Sequence, residues 1–188
     1  MVKIFRIWRF QFVGAKLKSP AVKELQPPDS HHVAAVLGWL GLGMVAEAKD
    51  EVTNISLTNI SHPAALEVRW QVAAYEKNWD EALEIADMEI RADPINAGAW
   101  LHRAYALRRV RAGGLLAAWG VLSVAAKKFP EESVIAYNLA CYACQMKDLD
   151  RAREWFFRAM RIGGKVEIKK MALDDDDLEP LWAEIAKL

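Results

Sequence analysis

Between Asn78 and Trp100 the apolar residues return at helical spacing: Ala82, Leu83, Ile85, Ala86 and Ile90 fall toward one side, with acids between them. Asp80 is placed to cap this predicted helix, and Asp93-Pro94 ends it, because proline can neither donate to the helix ladder nor continue it. A second helix is expected from about Ala97. The same alternation of helix, break and helix runs through most of the chain.

The breaks are regular. A thirty-four-residue spacing places starts at Asp29, Pro63 and Ala97 and, after a two-residue insertion, at Ser133. In the first unit Trp39 takes the large aromatic place, Gly43 the turn, Ala48 the small place of the second helix and Val52 the bulky place after it, while His32 stands where tryptophan is usual. In the second, Trp70 stands where a small residue is usual, so the helix pair must open or the indole must turn aside; Ala82 and Pro94 fit. The third has Trp100 and Ala104 and a turn at Gly113-Gly114; Ala118, Leu122, Ala125 and Pro130 then fall into place only if that turn is two residues long. The fourth supplies Leu139, Ala140, Ala152, Phe156 and Ala159, with Gly163-Gly164 as the stop.

This order of large, small and terminal-proline places resembles the tetratricopeptide repeat (TPR) family, W-x2-L-G-x2-Y…A-x3-F…P. The resemblance implies an all-α fold, a right-handed α-solenoid of about four helix-turn-helix units with a C-terminal capping helix. The units are 29–62, 63–96, 97–132 and 133–166, behind a leader of residues 1–28 and ahead of a cap of residues 167–188. The tail Ala172-Leu173-Asp174-Asp175-Asp176-Asp177-Leu178-Glu179-Pro180-Leu181-Trp182 is similar to the segment after the last repeat of small bacterial TPR proteins. In such an array each unit hides its neighbour's apolar face, and the ends need covers.

Composition narrows the function. Of 188 residues 53% are apolar, enough to fill a core, and 25 bases balance 25 acids, so no net field draws in nucleic acid or an anionic membrane. The leader departs from this balance: Lys3, Arg6, Arg9, Lys16, Lys18 and Lys23 face only Glu24. As a helix it would carry Ile4, Phe5, Ile7, Trp8 and Phe12 on one side, a pattern that fits a membrane surface or a partner; a leader without fixed order, or one that packs its aromatics on the first repeat, is the favoured reading. Lys3, Arg6 and Arg9 interrupt any signal-peptide core, and no run approaches the roughly 20 apolar residues of a membrane span. A cytoplasmic location is expected.

Candidate chemistry is sparse. Cys141 and Cys144 lie on one predicted helix, His102 is the nearest histidine in sequence, and no strand precedes the pair, so small apolar residues on an inner helix are expected rather than zinc or redox chemistry. The run Asp174 to Asp177 lacks the glycine and terminal glutamate of a calcium loop, so solvated capping of the last helix is expected. His31-His32 is expected as surface or capping histidine. No Gly-rich phosphate loop, nucleophile elbow or His-Glu-x-x-His occurs. The eight tryptophans fall mostly on the apolar period and read as core. No enzyme, cofactor or metal is expected.

By the resemblance, the first helix of each unit lines a concave groove. Carried over place by place, the second unit contributes Glu67, Val68, Gln71 and Tyr75, the third Leu101, His102, Tyr105, Arg108 and Arg109, and the fourth Tyr137, Asn138, Cys141 and Gln145. Tyrosines among amides and arginines suit a protein interface. Val33, Leu37, Val68, Gly98 and His102 occupy the places of the clamp by which some TPR domains hold a chaperone's terminal carboxylate, so that ligand is disfavoured. The expectation is a non-enzymatic adaptor that binds a peptide segment of a partner protein. The alternatives are a structural protein that self-assembles through its end faces, and a secretion-type chaperone for one dedicated substrate.

Overall fold

The computed structural model describes residues 23–188, and among them the chain is all-helical, with no strand. The leader expected at residues 1–28 lies outside the described residues up to position 22. The helices are α1 (Asp29–Gly41), α2 (Val45–Val52), α3 (Pro63–Tyr75), α4 (Trp79–Ala92), α5 (Ala97–Leu107), α6 (Leu115–Lys128), α7 (Ser133–Gln145), α8 (Leu149–Gly163), α9 (Lys165–Ala172) and α10 (Trp182–Ile185), with a 3-10 segment at Asp176–Leu181 before α10. Asp29, Pro63, Ala97 and Ser133 each begin a helix. The chain divides into two compact units, with the boundary between Gly114 and Leu115.

In the first unit α1 packs on α2 and α3, α3 on α4, and α4 on α5. Local chemistry sets each start. Pro63 opens α3 behind His62, whose ring nitrogen accepts from the Ala64 amide. The cap of α4 is Asn78, not Asp80: the Asn78 side chain accepts from the Glu81 amide and donates to the Glu81 carboxylate at 2.7 Å. Asp80 instead sits in the first turn, where its charge suits the positive helix end. Asn96 caps α5 through the Gly98 amide at 2.9 Å. Around Val36, Leu40, Ala48, Ile55, Ala65, Val68 and Val72 the first two helix pairs share a core. Asp29 ties the connection after α2 to the start of α1: it accepts from the Ser56 amide at 2.8 Å, the Ser56 hydroxyl at 2.6 Å and the Asn59 amide at 2.6 Å. His32 pairs with Glu51 of α2 at 2.6 Å.

Helix α5 stops at Leu107, earlier than a first helix reaching Arg108 and Arg109 requires. Arg108 is its C-cap and Arg109 lies in the connection beyond it. The reason lies at Gly113: its backbone returns so close to the Leu107 carbonyl that a Cβ would meet that oxygen at 1.8 Å, and the Gly114 amide donates to the same oxygen. The pair of glycines therefore closes a longer connection, of which a two-residue turn is only the last part.

In the second unit α7 is the central helix, packed on α6, on α8 and on the 3-10 segment. Ala118, Leu122, Ala125, Ala140, Ala152 and Ala159 are fully buried, which lets neighbouring helices approach closely, and Phe156 fills the space beside them. Trp119 of α6 meets Trp155 of α8 edge to face at 6.4 Å. Leu178, Leu181 and Ile185 from the tail close this core. The Asp174–Asp177 run is not a uniformly solvated cap: Asp175 is 4% exposed. It caps the 3-10 segment by accepting from the Asp177 amide at 3.0 Å, with its side chain turned inward.

Candidate binding surfaces

The residues proposed for a groove separate by unit: Glu67, Gln71, Tyr75, His102, Tyr105, Arg108 and Arg109 belong to the first, and Tyr137, Asn138, Cys141 and Gln145 to the second. In the first unit the centre is Tyr105. It meets Trp70 of α3 edge to face at 6.1 Å and Trp79 of α4 at 5.7 Å. The Arg109 guanidinium lies 3.4 Å above the Tyr105 ring and 5.1 Å from that of Trp79, and its Nη1 donates to the Tyr105 carbonyl. A cation thus rests on two aromatic faces, held by the turn after α5. Glu67, Gln71 and Tyr75 on α3 are half-buried, as are Tyr105, Arg108 and Arg109. Gln71 donates to Glu67 at 3.4 Å along its own helix.

His102 is not a wall residue. It is 1% exposed, stacked on Trp70 with ring centroids 4.0 Å apart, and its Nδ1 is 2.6 Å from the Glu89 carboxylate, itself 3% exposed. Burial opposes charge on this imidazole, but Glu89, by its charge and its hydrogen bond, with a further contribution from Glu67, holds its pKa above the ordinary value. The indole of Trp70, fully buried, lies flat against the His102 ring of α5.

In the second unit Tyr137 is 1% exposed and donates its hydroxyl to Asp175 Oδ2 at 2.9 Å. Cys141, also buried, donates its thiol to the same oxygen at 3.5 Å. Asn138 turns back on its own helix, to the Val134 carbonyl. Gln145 is exposed but donates to the Asp177 carbonyl at 3.2 Å. Burial raises the Tyr137 hydroxyl well above the ordinary phenol value, with Cys141 and Asp175 adding to it. Burial also raises the Asp175 carboxyl and, ahead of Asp177 and Asp175, the Cys144 thiol. Both cysteines are buried. What sequence reasoning missed here is the tail: nothing in a run of four aspartates marks which one turns inward.

Among the described residues no group of three metal-binding side chains converges, and no helix is long and apolar enough to cross a membrane. No protein-family model matches the chain, and no curated protein matches it either.

Proposed function

We propose that the chain is a non-enzymatic adaptor of the TPR type, a bacterial cytoplasmic solenoid of about four repeats that binds a segment of a partner protein. The observation that carries this reading is the Arg109–Tyr105–Trp79 cluster, with half-buried Glu67, Gln71 and Tyr75 on α3 of the same unit. Aromatic faces supply rigid contact area, and a guanidinium held against them grips a carboxylate on the partner. The groove reading places the partner's acidic residue beside Arg108 and Arg109. A secretion-type chaperone with one dedicated substrate is a special case of the same reading.

The test is capture of partner proteins from a bacterial lysate by the full chain and by a Tyr105→Ala/Arg109→Ala variant, with far-UV circular dichroism melts of both. Loss of a reproducible partner by a variant that stays folded at the assay temperature supports the site; equal capture by both overturns it.

Self-assembly is a second reading, favoured by the exposed apolar residues of the first helix pair and the connection after it: Leu37, Leu42 and Leu57 are 46%, 72% and 90% exposed. Light scattering at two concentrations separates the readings, since a strict monomer counts against assembly.

A further inference from the structure

Tyr137, Cys141 and Gln145 recur every fourth residue along α7, so they form one stripe on that helix. All three are engaged by the same short piece of the tail. Tyr137 and Cys141 donate to one oxygen of Asp175, at 2.9 and 3.5 Å, and Gln145 donates to the backbone carbonyl of Asp177 at 3.2 Å. Leu178 and Leu181 come next and are fully buried. A carboxylate set on a hydroxyl and a thiol, a main-chain carbonyl held by an amide, and two spaced apolar anchors are the means by which a helical wall holds a peptide from another protein.

We propose that residues 175–181 are a built-in ligand of α7, and that a partner docks there by presenting a segment of the same kind, an aspartate followed three and six residues later by leucines, in their place. The inference rests on the adaptor reading and names the class of partner segment for the second unit. The contacts made in such an exchange match those lost, so a partner needs only to overcome the high local concentration of the tethered tail. An incoming segment of this kind returns a carboxylate to Tyr137 and Cys141 and two leucines to the core, whereas a segment without the acid leaves buried donors unsatisfied. Exchange also leaves the tail attached. Beyond the segment Arg153 holds Glu184 through two hydrogen bonds, and Trp182 donates its indole N–H to the Ala172 carbonyl at 2.7 Å. The 3-10 segment itself includes Pro180, which removes one backbone donor from it.

The test uses the full chain and a fluorescein-labelled synthetic peptide of residues 174–181. Asp175→Ala removes the cis carboxylate, and two quantities are followed: the rate at which Cys141 and Cys144, the chain's two cysteines, react with an aromatic disulfide, and the anisotropy of the peptide. The variant is expected to react and to bind the peptide at least about tenfold more strongly than the parent, with Tyr137→Phe in the same background cutting peptide binding. A faster thiol reaction without peptide binding overturns the proposal, because the segment then lifts but α7 takes nothing in return. An unchanged thiol rate without peptide binding overturns it equally, because the segment is then a fixed cover. Should Asp175→Ala lose its helical circular dichroism, Asp175→Asn, which keeps the side chain's shape, is measured in its place against the same two outcomes. Failure here leaves the Tyr105–Arg109 surface standing; capture that survives Tyr105→Ala/Arg109→Ala overturns that surface by a separate experiment.

Discussion

Trp70 lies flat on His102, their ring planes 8° apart and their centroids 4.0 Å apart, and this contact joins α3 to α5. Trp70 has no exposed surface, so the stack sits in the core of the first unit and not on its rim. Truncating Trp70 to alanine removes the indole and leaves a space lined by the imidazole and Tyr105, a loss of about 3–5 kcal/mol for a buried tryptophan. The expected result is a large fall in the urea midpoint of the first unit. Tyr105→Phe, which keeps its ring against Trp70, is expected to lose less than Trp70→Ala. A Trp70→Ala variant with the parent's midpoint would show that the stack contributes nothing to stability.

The neighbouring carboxylate makes this core sensitive to pH. The His102 pKa is held above its ordinary 6.5, despite burial, by Glu89 and secondarily by Glu67. A group whose folded pKa is raised contributes stability that is fully present below its unfolded value and lost as pH rises through the folded one. The urea midpoint is therefore expected to fall as pH is raised from 6.5 through the folded pKa. His102→Gln, which keeps a polar group but does not titrate, is expected to flatten that part of the profile. Nuclear magnetic resonance of the His102 ring protons reads the pKa directly, and a value below 6.5 would refute the assignment.

The helix starts at Asp29, Pro63, Ala97 and Ser133 were legible because the breaks recur at a fixed spacing along the chain, with proline at the start of one helix and small alanines at the places where helices touch. The buried polar pairs were not legible. His102 reads as a wall residue from its place in a helix; only the fold brings Glu89 to its Nδ1 and Trp70 to its face. The same holds for Tyr137, whose partner Asp175 lies 38 residues on and has three identical neighbours. The early end of α5 was half legible: Gly113-Gly114 marked a turn, but the approach to the Leu107 carbonyl that shortens the helix is a matter of three dimensions.

Asp29 gives the first helix pair an acid limit. Hydrogen bonds from the Ser56 and Asn59 side chains and the Ser56 amide lower its pKa to about 2 from 3.8. The folded pKa is depressed, so the stability it contributes is present above 3.8 and is lost as pH falls toward 2. Asp29→Asn is expected to lower the thermal midpoint at neutral pH, because one of its acceptors becomes a donor facing donors. The difference from the parent is expected to shrink as pH falls through that window. A gap between the two proteins that is independent of pH from about 5 down to about 2 would contradict the role of the charge.

Two turns carry a backbone conformation that their side chains oppose. Lys77 has φ 59° and Lys147 φ 64°, each just past a helix and just before the Asn78 or Asp148 that caps the next. In both turns the capping residue's amide donates back to a carbonyl five residues earlier, Asn78 to Ala73 and Asp148 to Ala143. That is the helix ending in which glycine is usual, and Gly43, with φ 76°, fills the corresponding place between α1 and α2. Left-handed backbone costs a residue with a Cβ about 1–2 kcal/mol, while glycine's extra freedom in the unfolded chain returns about 0.5–1 kcal/mol of that. Lys77→Gly and Lys147→Gly are each expected to stabilise their turn by about 0.5–1 kcal/mol, a rise of ~1–4 °C in the thermal midpoint. Both lysines are exposed, so little packing is lost. Alanine at the same positions keeps the Cβ and is expected to give no gain. A lower midpoint for both glycine variants would mean that the lysine side chains, and not the backbone, govern these turns.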